Sequence, residues 1–560
     1  MRKAKIIATL GPTSSEVNIL MDLIRAGVNV VRINMSHGTY EAQKQVISNV
    51  RKASRNLNRE VAILLDLQGP KIRVDKLKNE IELKSGEEWV IGPSKLYDKY
   101  PEYAGKFIPT MYENLVKDCH DGARVLFDDG KLVAKAIKKD REVYKIHIEI
   151  GGVLKSNKGI NLPDCQISAP SFTKKDKEDL LFALREGIDY VALSFVREKK
   201  DVKDLKALLH SLKINIPVVA KIEKPQAVQN LEEILGVCDV IMIARGDLAV
   251  EIGDHLVPSI QKRIIKRCNE VGKPVITATQ MLESMIINPS PTRAEASDVA
   301  NAIFDGTDAV MLSAETASGK YPIESVKMMA KIIEDAEANS TLKRTFENID
   351  LSNLNTALSQ AAASVADKVG AVRILSMTQS GHSCLKISRF RPPVPIIGVT
   401  NDIKTVRRIC LYWGVTPFLV KEFGEDNNRL KDFVVDLVRE SLKLKNGDKI
   451  VISRGDGPFF SGGTANSVQV EIIKTAPKIL GSSDSIESVS DNKKTINLDT
   501  HICASCQNCI AICPHDIWAA KLDASRATYI VAPNVKDCAL DLECVRVCPT
   551  GAIEIIPKKD

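Results

Sequence analysis

Short runs of apolar residues alternate with longer segments of helical period in the first part of the chain. Apolar, β-branched runs predict strands at 5–10, 28–35 and 61–66, and apolar residues spaced three and four apart predict helices at 17–26 and 40–57. Strands separated by helices pair in parallel, because a crossover helix returns the chain to the same end of the sheet. The pattern therefore indicates an α/β fold.

The alternation stops after residue 70 and resumes near residue 174. Between these points the sequence predicts only short strands, among them 80–83, 88–91 and 144–150, with turn signals and no long helix. After a helix at 174–187, apolar runs predict further strands at 190–195, 218–222, 240–244, 275–279 and 309–312. About eight strand–helix units lie outside the β-rich insertion, and that number is typical of a closed (β/α)8 barrel, the TIM barrel.

A chain of 560 residues is too long for one domain, and its pattern divides it into five parts. These are a TIM barrel (1–70 and 160–345), an inserted small β-barrel or lid (71–159), a C-terminal α/β domain (346–477), a Ser/Asp-rich flexible linker (478–496) and a cysteine-dense α+β module (497–560).

Composition excludes several classes of protein. With 44% hydrophobic and 27% charged residues the chain is not a disordered protein. It contains no run of 18 apolar residues and begins without the apolar stretch of a secretory signal, so we expect a cytoplasmic protein with no membrane partner. The net charge is +7, and the Lys and Arg residues are interspersed with acidic residues rather than clustered, which argues against nucleic acid as a partner.

Polar residues fall where the predicted barrel strands end, the place where chemistry sits in such barrels. They are Arg32, Asn34, Ser36, Lys221, Glu223, Asp247, Ser313 and Glu315. Any one of them could be a salt-bridged strand end, but the whole set makes that interpretation weak. Two acids one βα unit apart suit a hard divalent cation such as Mg²⁺, and a nearby Lys and Arg suit phosphoryl transfer. No Walker A sequence occurs, which excludes a P-loop enzyme.

Nine motifs, in order along residues 1–477, resemble the pyruvate kinase family. They are Ile6-Ile-Ala-Thr-Leu-Gly-Pro, Arg32-Ile-Asn-Met-Ser-His-Gly, Gly69-Pro-Lys-Ile-Arg, Lys158-Gly-Ile-Asn-Leu-Pro, Lys221-Ile-Glu, Ala244-Arg-Gly-Asp-Leu, Ala278-Thr-Gln-Met-Leu-Glu-Ser-Met, Pro291-Thr-Arg-Ala-Glu and Met311-Leu-Ser-Ala-Glu-Thr. The resemblance implies the last step of glycolysis, Mg²⁺- or Mn²⁺-dependent phosphoryl transfer from phosphoenolpyruvate to ADP, giving pyruvate and ATP.

The resemblance also implies roles for individual residues. Lys221 would stabilise the phosphoryl transition state and the enolate oxygen, and Glu223 and Asp247 would bind Mg²⁺. Arg32, Arg73 and Lys158 would contact the transferring phosphoryl group and the nucleotide, and the backbone of Ala244, Arg245 and Gly246 would line the pocket. Thr279 would contact the substrate carboxylate, and Thr279 and Ser313 would lie on the route that protonates the enolate. Asp128 and Asp129 would belong to the insertion, which would close as a lid.

The family's monovalent-cation site would correspond to Asn34, Ser36, Asp66 and the carbonyl of Leu67. Potassium-dependent members carry Glu where this chain has Lys71, and Thr and Lys at the places of Leu67 and Gln68. An ammonium group at Lys71 can replace the charge of K⁺, so we expect potassium-independent activity. The alternative is that Lys71 is merely solvated.

A Gly/Ser/Thr turn precedes a helical run in the C-terminal α/β domain. It contains Thr378, Ser380, Gly381 and Ser383, and such turns present backbone N–H groups to anions. It corresponds in place to the family's effector-phosphate loop, which Gly462-Gly-Thr464 would complete. An ordinary N-capped helix start is the alternative. The resemblance further implies a homotetramer formed through this domain.

The last part of the chain contains the run C-x2-C-x2-C-x3-C-P and, at a constant offset, a second copy with Asp in place of its second Cys. This is the pattern of bacterial two-cluster ferredoxins, in which the fourth Cys of each run binds the other cluster. Cluster I would use Cys503, Cys506, Cys509 and Cys548, and cluster II would use Cys538, Cys544, Cys513 and Asp541.

A carboxylate is a weak ligand for cluster iron, so cluster II would be a labile [4Fe–4S] or a [3Fe–4S], beside one [4Fe–4S]. Zinc is the alternative metal. These sites would make the tail redox-active, with a redox partner. The rival function is a redox sensor or electron carrier in which the barrel is only a scaffold. The six scattered cysteines are interpreted as small buried hydrophobic residues in a reducing compartment: Cys119, Cys165, Cys238, Cys268, Cys384 and Cys410.

Overall fold

A computed structural model of the chain describes residues 2–339, 349, 351–420, 434–435, 438–439, 441–455 and 465–473. Beyond residue 473 it describes only 486–490, 494–499, 519–522, 528–531, 544–545 and 553–557. In this described part of the chain no helix is both long and apolar enough to cross a bilayer.

Eight parallel strands close into a barrel, which confirms the fold predicted from the alternation. The last strand pairs with the first, so that Ala309 lies opposite Lys5. In chain order the strands are Lys5–Thr9, Val30–Asn34, Ala62–Asp66, Tyr190–Leu193, Val218–Ile222, Val240–Ala244, Val275–Ala278 and Ala309–Leu312. Helices surround them, at Val17–Ala26, Tyr40–Asn56, Lys174–Glu186, Lys199–Ser211, Pro225–Gln229, Leu231–Leu235, Arg245–Ile252, Val257–Val271, Arg293–Asp305, Ala314–Ala317 and Pro322–Ala338.

Four barrel strands end one or two residues earlier than the sequence predicts, and for two of them the backbone shows why. The strand predicted at 190–195 ends at Leu193, and the one predicted at 275–279 ends at Ala278. The reason is the backbone of Phe195 and Thr279, whose φ angles of 54° and 71° lie outside the strand region. Both residues therefore begin loops at the carboxyl ends of their strands.

The insertion is a six-stranded sheet with a two-stranded sheet beside it. It contains strands Ile81–Leu83, Glu88–Pro93, Phe107–Thr110, Arg124–Phe127, Leu132–Asp140, Val143–Ile150, Gly152–Leu154 and Ile160–Asn161, and the short helix Leu115–Asp118. It has a hydrophobic core of its own, which includes Phe127, Tyr144 and Ile146. Because this core does not depend on the barrel, the insertion can be described as a domain.

The C-terminal α/β domain packs against the amino ends of the barrel strands. Its five-stranded sheet contains, in spatial order, Val415–Leu419, Ile396–Thr400, Arg373–Met377, Lys449–Arg454 and Ser467–Ile472, and its helices include Leu354–Lys368, His382–Arg389 and Ile403–Ile409. Lys5 Nζ donates to the carbonyl of Val415 over 2.6 Å, and Arg391 forms a buried 2.8 Å ion pair with Asp308. This domain therefore lies at the end of the barrel opposite to its mouth.

Five short strands are described after residue 473. Lys494–Asp499 pairs antiparallel with both Ile486–Ser490 and Ile553–Pro557, and Ala519–Leu522 pairs antiparallel with Thr528–Val531. The first strand lies within the segment 478–496 that the composition predicts to be a flexible linker. Pairing with the following strand satisfies its backbone groups, which a Ser/Asp-rich composition does not reveal.

Candidate active site

Polar side chains converge at the mouth of the barrel, where the parallel strands have their carboxyl ends. Arg32 lies on strand Val30–Asn34, Asp66 ends strand Ala62–Asp66, and Lys221 lies on strand Val218–Ile222. Glu223 follows that strand directly, and Asp247 lies in the first turn of helix Arg245–Ile252. Of the eight residues that the sequence places at strand ends, the fold thus brings four together with Asp66: Arg32, Lys221, Glu223 and Asp247.

Lys221 is the centre of this cluster. Its ammonium nitrogen lies 2.9 Å from Glu223 Oε1 and 3.2 Å from Asp66 Oδ1, and its residue is only 9% exposed. Burial by itself would lower the pKa of Lys221, but the carboxylates of Asp66 and Glu223 outweigh burial and hold the pKa above its ordinary value. Lys221 is therefore a permanent positive charge at the barrel mouth.

Asp66 is shared between two cations. Arg32 Nε donates to Asp66 Oδ2 over 2.7 Å, and Arg32 Nη1 donates to Thr9 Oγ1 over 3.0 Å. Although burial alone would raise the pKa of Asp66, Lys221 and Arg32 lower it below its ordinary value. Asp66 consequently stays ionised and fixes the positions of both cations.

Glu223 and Asp247 form the acidic side of the cluster. Glu223 is 1% exposed, and its Oε2 accepts a 2.7 Å hydrogen bond from the backbone N–H of Phe195. Burial raises the pKa of Glu223; Lys221 opposes this rise, and the nearby carboxylate of Asp247 adds to it. Within the described residues no donor bonds to the Asp247 carboxylate. Two facing acids, one of them without a donor, make an oxygen-rich place for a hard cation.

The loop after strand Val275–Ala278 meets the start of helix Arg245–Ile252. The N–H of Gly246 donates to Thr279 Oγ1 over 2.7 Å, and the Arg245 guanidinium donates to the carbonyl of Thr279 over 2.8 Å while pairing with Asp298 at 2.7 Å. A positive φ is strained for a β-branched residue, so these contacts stabilise the Thr279 backbone. Ala244 ends the preceding strand at the same place.

A buried acid holds the loop that carries Ser313. Glu315 is 2% exposed and accepts hydrogen bonds from the backbone N–H groups of Ser313 and Leu282, over 2.7 and 3.1 Å. Burial raises the pKa of Glu315, and these N–H donors oppose the rise. The role of Glu315 in the structure is therefore to position the loop of Ser313.

The insertion carries Arg73, Lys158, Asp128 and Asp129, and in the structure their contacts lie within it. Lys158 pairs with Asp128 at 2.8 Å, and Arg73 Nη1 donates to the carbonyl of Asn157 over 3.0 Å. Asp128 and Asp129 have φ angles of 50° and 56°, the geometry of a tight hairpin turn between Phe127 and Gly130. These residues are thus gathered on the insertion, apart from the Lys221 cluster.

Two contacts hold the insertion over the barrel mouth. A Cβ at Gly130 would lie 3.7 Å from Val250 of helix Arg245–Ile252, so the hairpin tip lies close to the helix that carries Asp247. Asn161 Nδ2 donates to Glu251 Oε1 over 2.8 Å, and Lys224 Nζ contacts the same oxygen at 2.5 Å. The insertion therefore lies next to the helix that carries Asp247.

The oxygens of the expected monovalent-cation site receive donors from the protein. Asn34 Oδ1 accepts from the N–H of Ser36 over 3.1 Å, and the carbonyl of Leu67 accepts from Ser194 Oγ over 2.7 Å. Asp66 is engaged by Arg32 and Lys221 as described above. Lys71 lies nearby and lines a small cavity with Phe195, Arg197 and Lys224 at the junction of insertion and barrel.

Ser194 is a site residue that the sequence did not single out. Besides its bond to Leu67, its hydroxyl accepts a 2.8 Å hydrogen bond from Lys221 Nζ, and it is 2% exposed. Phe195, which holds Glu223, was missed as well. The signal available in the sequence was the polar residue directly after the apolar strand Tyr190–Leu193, the same signal that identified the other strand ends.

The expected effector residues lie near the opposite end of the barrel. Gly381 has a φ of 83° and donates its N–H to Thr378 Oγ1 over 2.9 Å, directly before helix His382–Arg389, which includes Ser383. Ser380 and His382 line a cleft between the C-terminal domain and the barrel. Gly462-Gly-Thr464 lies outside the described residues.

The expected cluster ligands mostly lie outside the described residues: Cys503, Cys506, Cys509, Cys513, Cys538, Asp541 and Cys548. Cys544 is described and buried. Across the described segments, no group of three or more His, Cys, Asp or Glu residues is placed to hold a metal ion.

Comparison with known proteins decides the family. The family model for the pyruvate kinase barrel domain matches residues 1–326, and the one for the pyruvate kinase alpha/beta domain matches residues 356–471. The chain belongs to the pyruvate kinase family. It is accordingly an enzyme, a phosphotransferase, and the residues after 471 lie outside both family matches.

Curated relatives agree over most of the chain. Pyruvate kinase 2 of Synechocystis sp. is 41% identical over 478 residues, covering 84% of this chain and 80% of its own length. The pyruvate kinases of Staphylococcus epidermidis and Geobacillus stearothermophilus are 42% and 43% identical, over 84% of this chain and 81% and 80% of their own lengths.

The contacts of Ser194 generate a test of the site. Ser194→Ala removes an acceptor from the Lys221 ammonium and the donor to the Leu67 carbonyl, so we expect kcat of the pyruvate kinase reaction to fall roughly tenfold, about 1.4 kcal/mol in activation free energy. Steady-state kinetics measures it. Ser54→Ala is the matched control, because the Ser54 hydroxyl is also buried but donates to the carbonyl of Arg59, remote from the mouth. Equal kcat values for wild type and Ser194→Ala would show that the hydroxyl does not position Lys221.

Proposed function

We propose that the chain transfers the phosphoryl group of phosphoenolpyruvate to ADP with Mg²⁺ or Mn²⁺, yielding pyruvate and ATP as the last step of glycolysis. The observation that carries the proposal is the buried, permanently charged Lys221 beside Glu223 and Asp247 at the barrel mouth. A fixed ammonium aimed at developing negative charge lowers the barrier of phosphoryl transfer without reorganisation. Lys221 would meet the transferring group and then the enolate oxygen of pyruvate.

Glu223 and Asp247 fit a divalent cation. Both are carboxylates, hard oxygen donors, and the raised pKa of Glu223 reflects burial and a repulsion from Asp247 that a cation would relieve. When bound, Mg²⁺ would supply charge neutralisation at the phosphate and carboxylate oxygens of the substrate. The Phe195 N–H holds Glu223 in place for this role.

The surrounding groups would orient the substrate. The Gly246 N–H and the Thr279 hydroxyl lie together at the start of a helix, where an anionic carboxylate is favoured, and Ala244 and Arg245 border the same place. Ser313 and Thr279 would provide the route by which the enolate receives its proton. Arg32 would contact the phosphoryl group from the barrel, and Arg73 and Lys158 the nucleotide from the insertion, whose closure excludes water.

Activity independent of K⁺ is the second part of the proposal. Asn34, Leu67 and Asp66 direct their oxygens at donors of the protein itself, which leaves a weak set of ligands for an added cation. Lys71 follows Leu67 by four residues, and its side chain lines a cavity with Phe195, the residue directly after Ser194, which bonds to the Leu67 carbonyl. This supports Lys71 as a built-in substitute for the monovalent ion.

Two iron–sulfur clusters in the tail are the third part. Lys494–Asp499 ends four residues before Cys503 and pairs with Ile553–Pro557, which begins five residues after Cys548, with Leu498 opposite Ile553. Ala519 lies opposite Val531, at comparable distances along the chain from Cys513 and Cys538. The first pairing favours Cys548 in cluster I, and the second favours Cys513 in cluster II. Both agree with the exchange of the fourth ligand between clusters.

A phosphorylated effector is the fourth part. The cleft beside Ser380 has a volume of about 1250 Å³. In the described chain its cationic lining consists of Lys206, Lys213, Lys273, Lys386, Arg389 and Arg408, with the imidazoles of His210 and His382, against the single carboxylate of Asp239. Burial and the neighbouring Lys386 lower the pKa of His382, as expected of a cationic cleft without enough counter-charge. An anionic ligand there would touch the barrel and the C-terminal domain together.

We also propose that the C-terminal domains assemble the chain into a homotetramer, as the family resemblance implies.

The transfer reaction is tested directly. Purified protein should form pyruvate from phosphoenolpyruvate and ADP, and both Glu223→Gln and Asp247→Asn should lower kcat at least roughly 100-fold and raise the Mg²⁺ concentration needed for half-maximal rate, because each removes a charge that retains the cation. Coupled pyruvate assays measure both. Glu178→Gln, an exposed amide substitution on a barrel helix, is the control. Wild-type protein that makes no pyruvate would contradict the proposed function.

The cation requirement is tested with matched salts. We expect equal rates in potassium and tetramethylammonium chloride for the wild type, and a K⁺ requirement in Lys71→Glu, because the substitution removes the ammonium and adds a ligand. Initial rates at constant ionic strength provide the measurement. A wild-type rate that rises more than about tenfold with K⁺, which is about 1.4 kcal/mol, would exclude this role for Lys71.

The tail is tested on the full chain purified without oxygen. We expect about seven or eight iron atoms with acid-labile sulfide, and electron paramagnetic resonance signals of two clusters. Cys548→Ser should remove only the cluster I signal, Cys513→Ser only that of cluster II, and Cys238→Ser, which lies in the barrel, neither. A colourless tail containing zinc would refute the clusters.

A kinase rate that changes with cluster oxidation, and no longer does after truncation near Gly481, would favour a regulatory tail over an electron carrier.

The cleft is tested by binding. Titration calorimetry with a set of sugar phosphates and nucleotides should find a ligand whose affinity falls at least about tenfold in Lys386→Met, because a charge-assisted hydrogen bond to phosphate is lost. Lys174→Met, which replaces an exposed lysine on a barrel helix outside the cleft, should leave affinity unchanged. Phosphate esters that bind wild type and Lys386→Met equally would remove the cleft from consideration.

A further inference from the structure

Two cysteines of the insertion lie side by side although 46 positions separate them. Cys119 directly follows helix Leu115–Asp118, and Cys165 lies on the segment that returns from strand Ile160–Asn161 to the barrel. Each thiol shifts the pKa of the other, which indicates that the two lie close together, and both side chains belong to the hydrophobic core of the insertion. The kinase chemistry proposed above uses neither of them.

The two segments that carry these cysteines are joined by polar contacts of their immediate neighbours. His120 Nε2 lies 3.0 Å from the carbonyl of Asp164, so the residue after one cysteine contacts the residue before the other. Arg124 binds the Asp164 carboxylate through its backbone N–H and through two guanidinium nitrogens, over 3.0, 3.0 and 2.9 Å. These bonds hold together the two segments that carry the cysteines.

His120 supplies a positive charge beside the pair. Its two ring nitrogens each lie 3.0 Å from a backbone carbonyl, those of Asp121 and Asp164. A neutral imidazole has only one N–H to donate, so this geometry favours the imidazolium. The same two carbonyls raise the pKa of His120. A cation fixed next to a thiol stabilises the thiolate, the reactive form of cysteine.

The two thiols differ in their readiness to ionise. The hydrogen bond from Cys119 lowers the pKa of Cys165, burial opposes this, and His120 lowers it further. For Cys119 the same hydrogen bond and burial raise the pKa. In redox-active cysteine pairs, one cysteine is the thiolate that attacks and the other is a protonated thiol that reacts second.

We propose that Cys119 and Cys165 are a reversible dithiol–disulfide pair that is oxidised by hydrogen peroxide. Hydrogen peroxide is small enough to reach the pair, whereas a bulky disulfide reagent is not, because Cys119 is only 8% exposed and Cys165 only 3% exposed. This site is independent of the iron–sulfur clusters and of the phosphoryl-transfer chemistry.

The reaction balances in two steps. The Cys165 thiolate attacks one oxygen of the peroxide, the O–O bond breaks, and the departing hydroxide takes the proton of His120 to leave as water, so that Cys165 becomes a sulfenic acid. The Cys119 thiol then attacks the Cys165 sulfur, the S–S bond forms, and the sulfenic hydroxyl leaves as a second water with the thiol proton. The two sulfurs together lose two electrons, which reduce one peroxide to two waters. A dithiol reductant reverses the change.

The full chain provides the test, because trypsin separates the two cysteines onto the peptides Asp118–Arg124 and Gly159–Lys174. After treatment with one equivalent of peroxide per chain without oxygen, mass spectrometry should find these peptides cross-linked, and dithiothreitol should release them. Their oxidation should be at least about tenfold faster than that of Cys238 and Cys268, a second pair of buried neighbours whose thiols have pKa values raised by burial. Because mass spectrometry identifies each peptide, oxidation of the tail cysteines is distinguished from oxidation of Cys119 and Cys165.

Variants distinguish the two roles. Cys119→Ser should let a sulfenic acid accumulate at Cys165, trapped by dimedone, whereas Cys165→Ser should leave Cys119 reduced. His120→Asn should slow disulfide formation at pH 7 while preserving the fold of the insertion, as judged by circular dichroism. Peptides that stay reduced, that oxidise no faster than those of Cys238 and Cys268, or that yield no dimedone adduct in Cys119→Ser would overturn the proposal.

Discussion

A buried ammonium group held between two carboxylates is the interaction on which the active site depends. Moving an isolated charge from water into a protein interior costs several kcal/mol, so Lys221 can stay charged only with Asp66 and Glu223 close by. The parallel barrel supplies this arrangement because it brings the carboxyl ends of strands Ala62–Asp66 and Val218–Ile222 to one mouth. Strand Tyr190–Leu193 lies between them, and its continuation, Ser194, bonds to both sides.

Backbone strain at the strand ends serves the same arrangement. A non-glycine residue with positive φ costs about 1–3 kcal/mol, and it persists only where its surroundings determine it. At Phe195 the strained backbone directs an N–H at Glu223, and at Thr279 it directs a hydroxyl at the N–H of Gly246. Each strained residue lies one or two positions beyond a buried strand, so the stability of the barrel compensates for strain in the loops at its mouth.

The sequence predicts the barrel well because each buried parallel strand is a continuous apolar run, and helices with one apolar face separate these runs. Residues such as Lys221, Glu223 and Asp247 could be identified because they end such runs. Ser194 was missed although it also follows an apolar run directly, because the strand was predicted to continue through it to residue 195 and because its role depends on three strands standing in a particular register. The contact of Cys119 with Cys165 was likewise hidden, because it arises from the folding of the insertion. Both cysteines were interpreted only as small hydrophobic residues, and burial alone agrees with that.

The cationic cleft and the active site share two strands of the barrel, and this sets how one could influence the other. Tyr190 lines the cleft while Ser194, four residues on, bonds to Lys221; Val240 lines the cleft while Asp247 lies past the other end of the same strand. At about 3.3 Å per residue the two ends of each strand are only some 13–17 Å apart. A ligand in the cleft can affect Lys221 only if these strands have two arrangements and the ligand binds one of them more tightly than the other. Because these strands are buried and closely packed, such arrangements would be few and discrete, and the two strands connect the cleft directly to the residues at the barrel mouth.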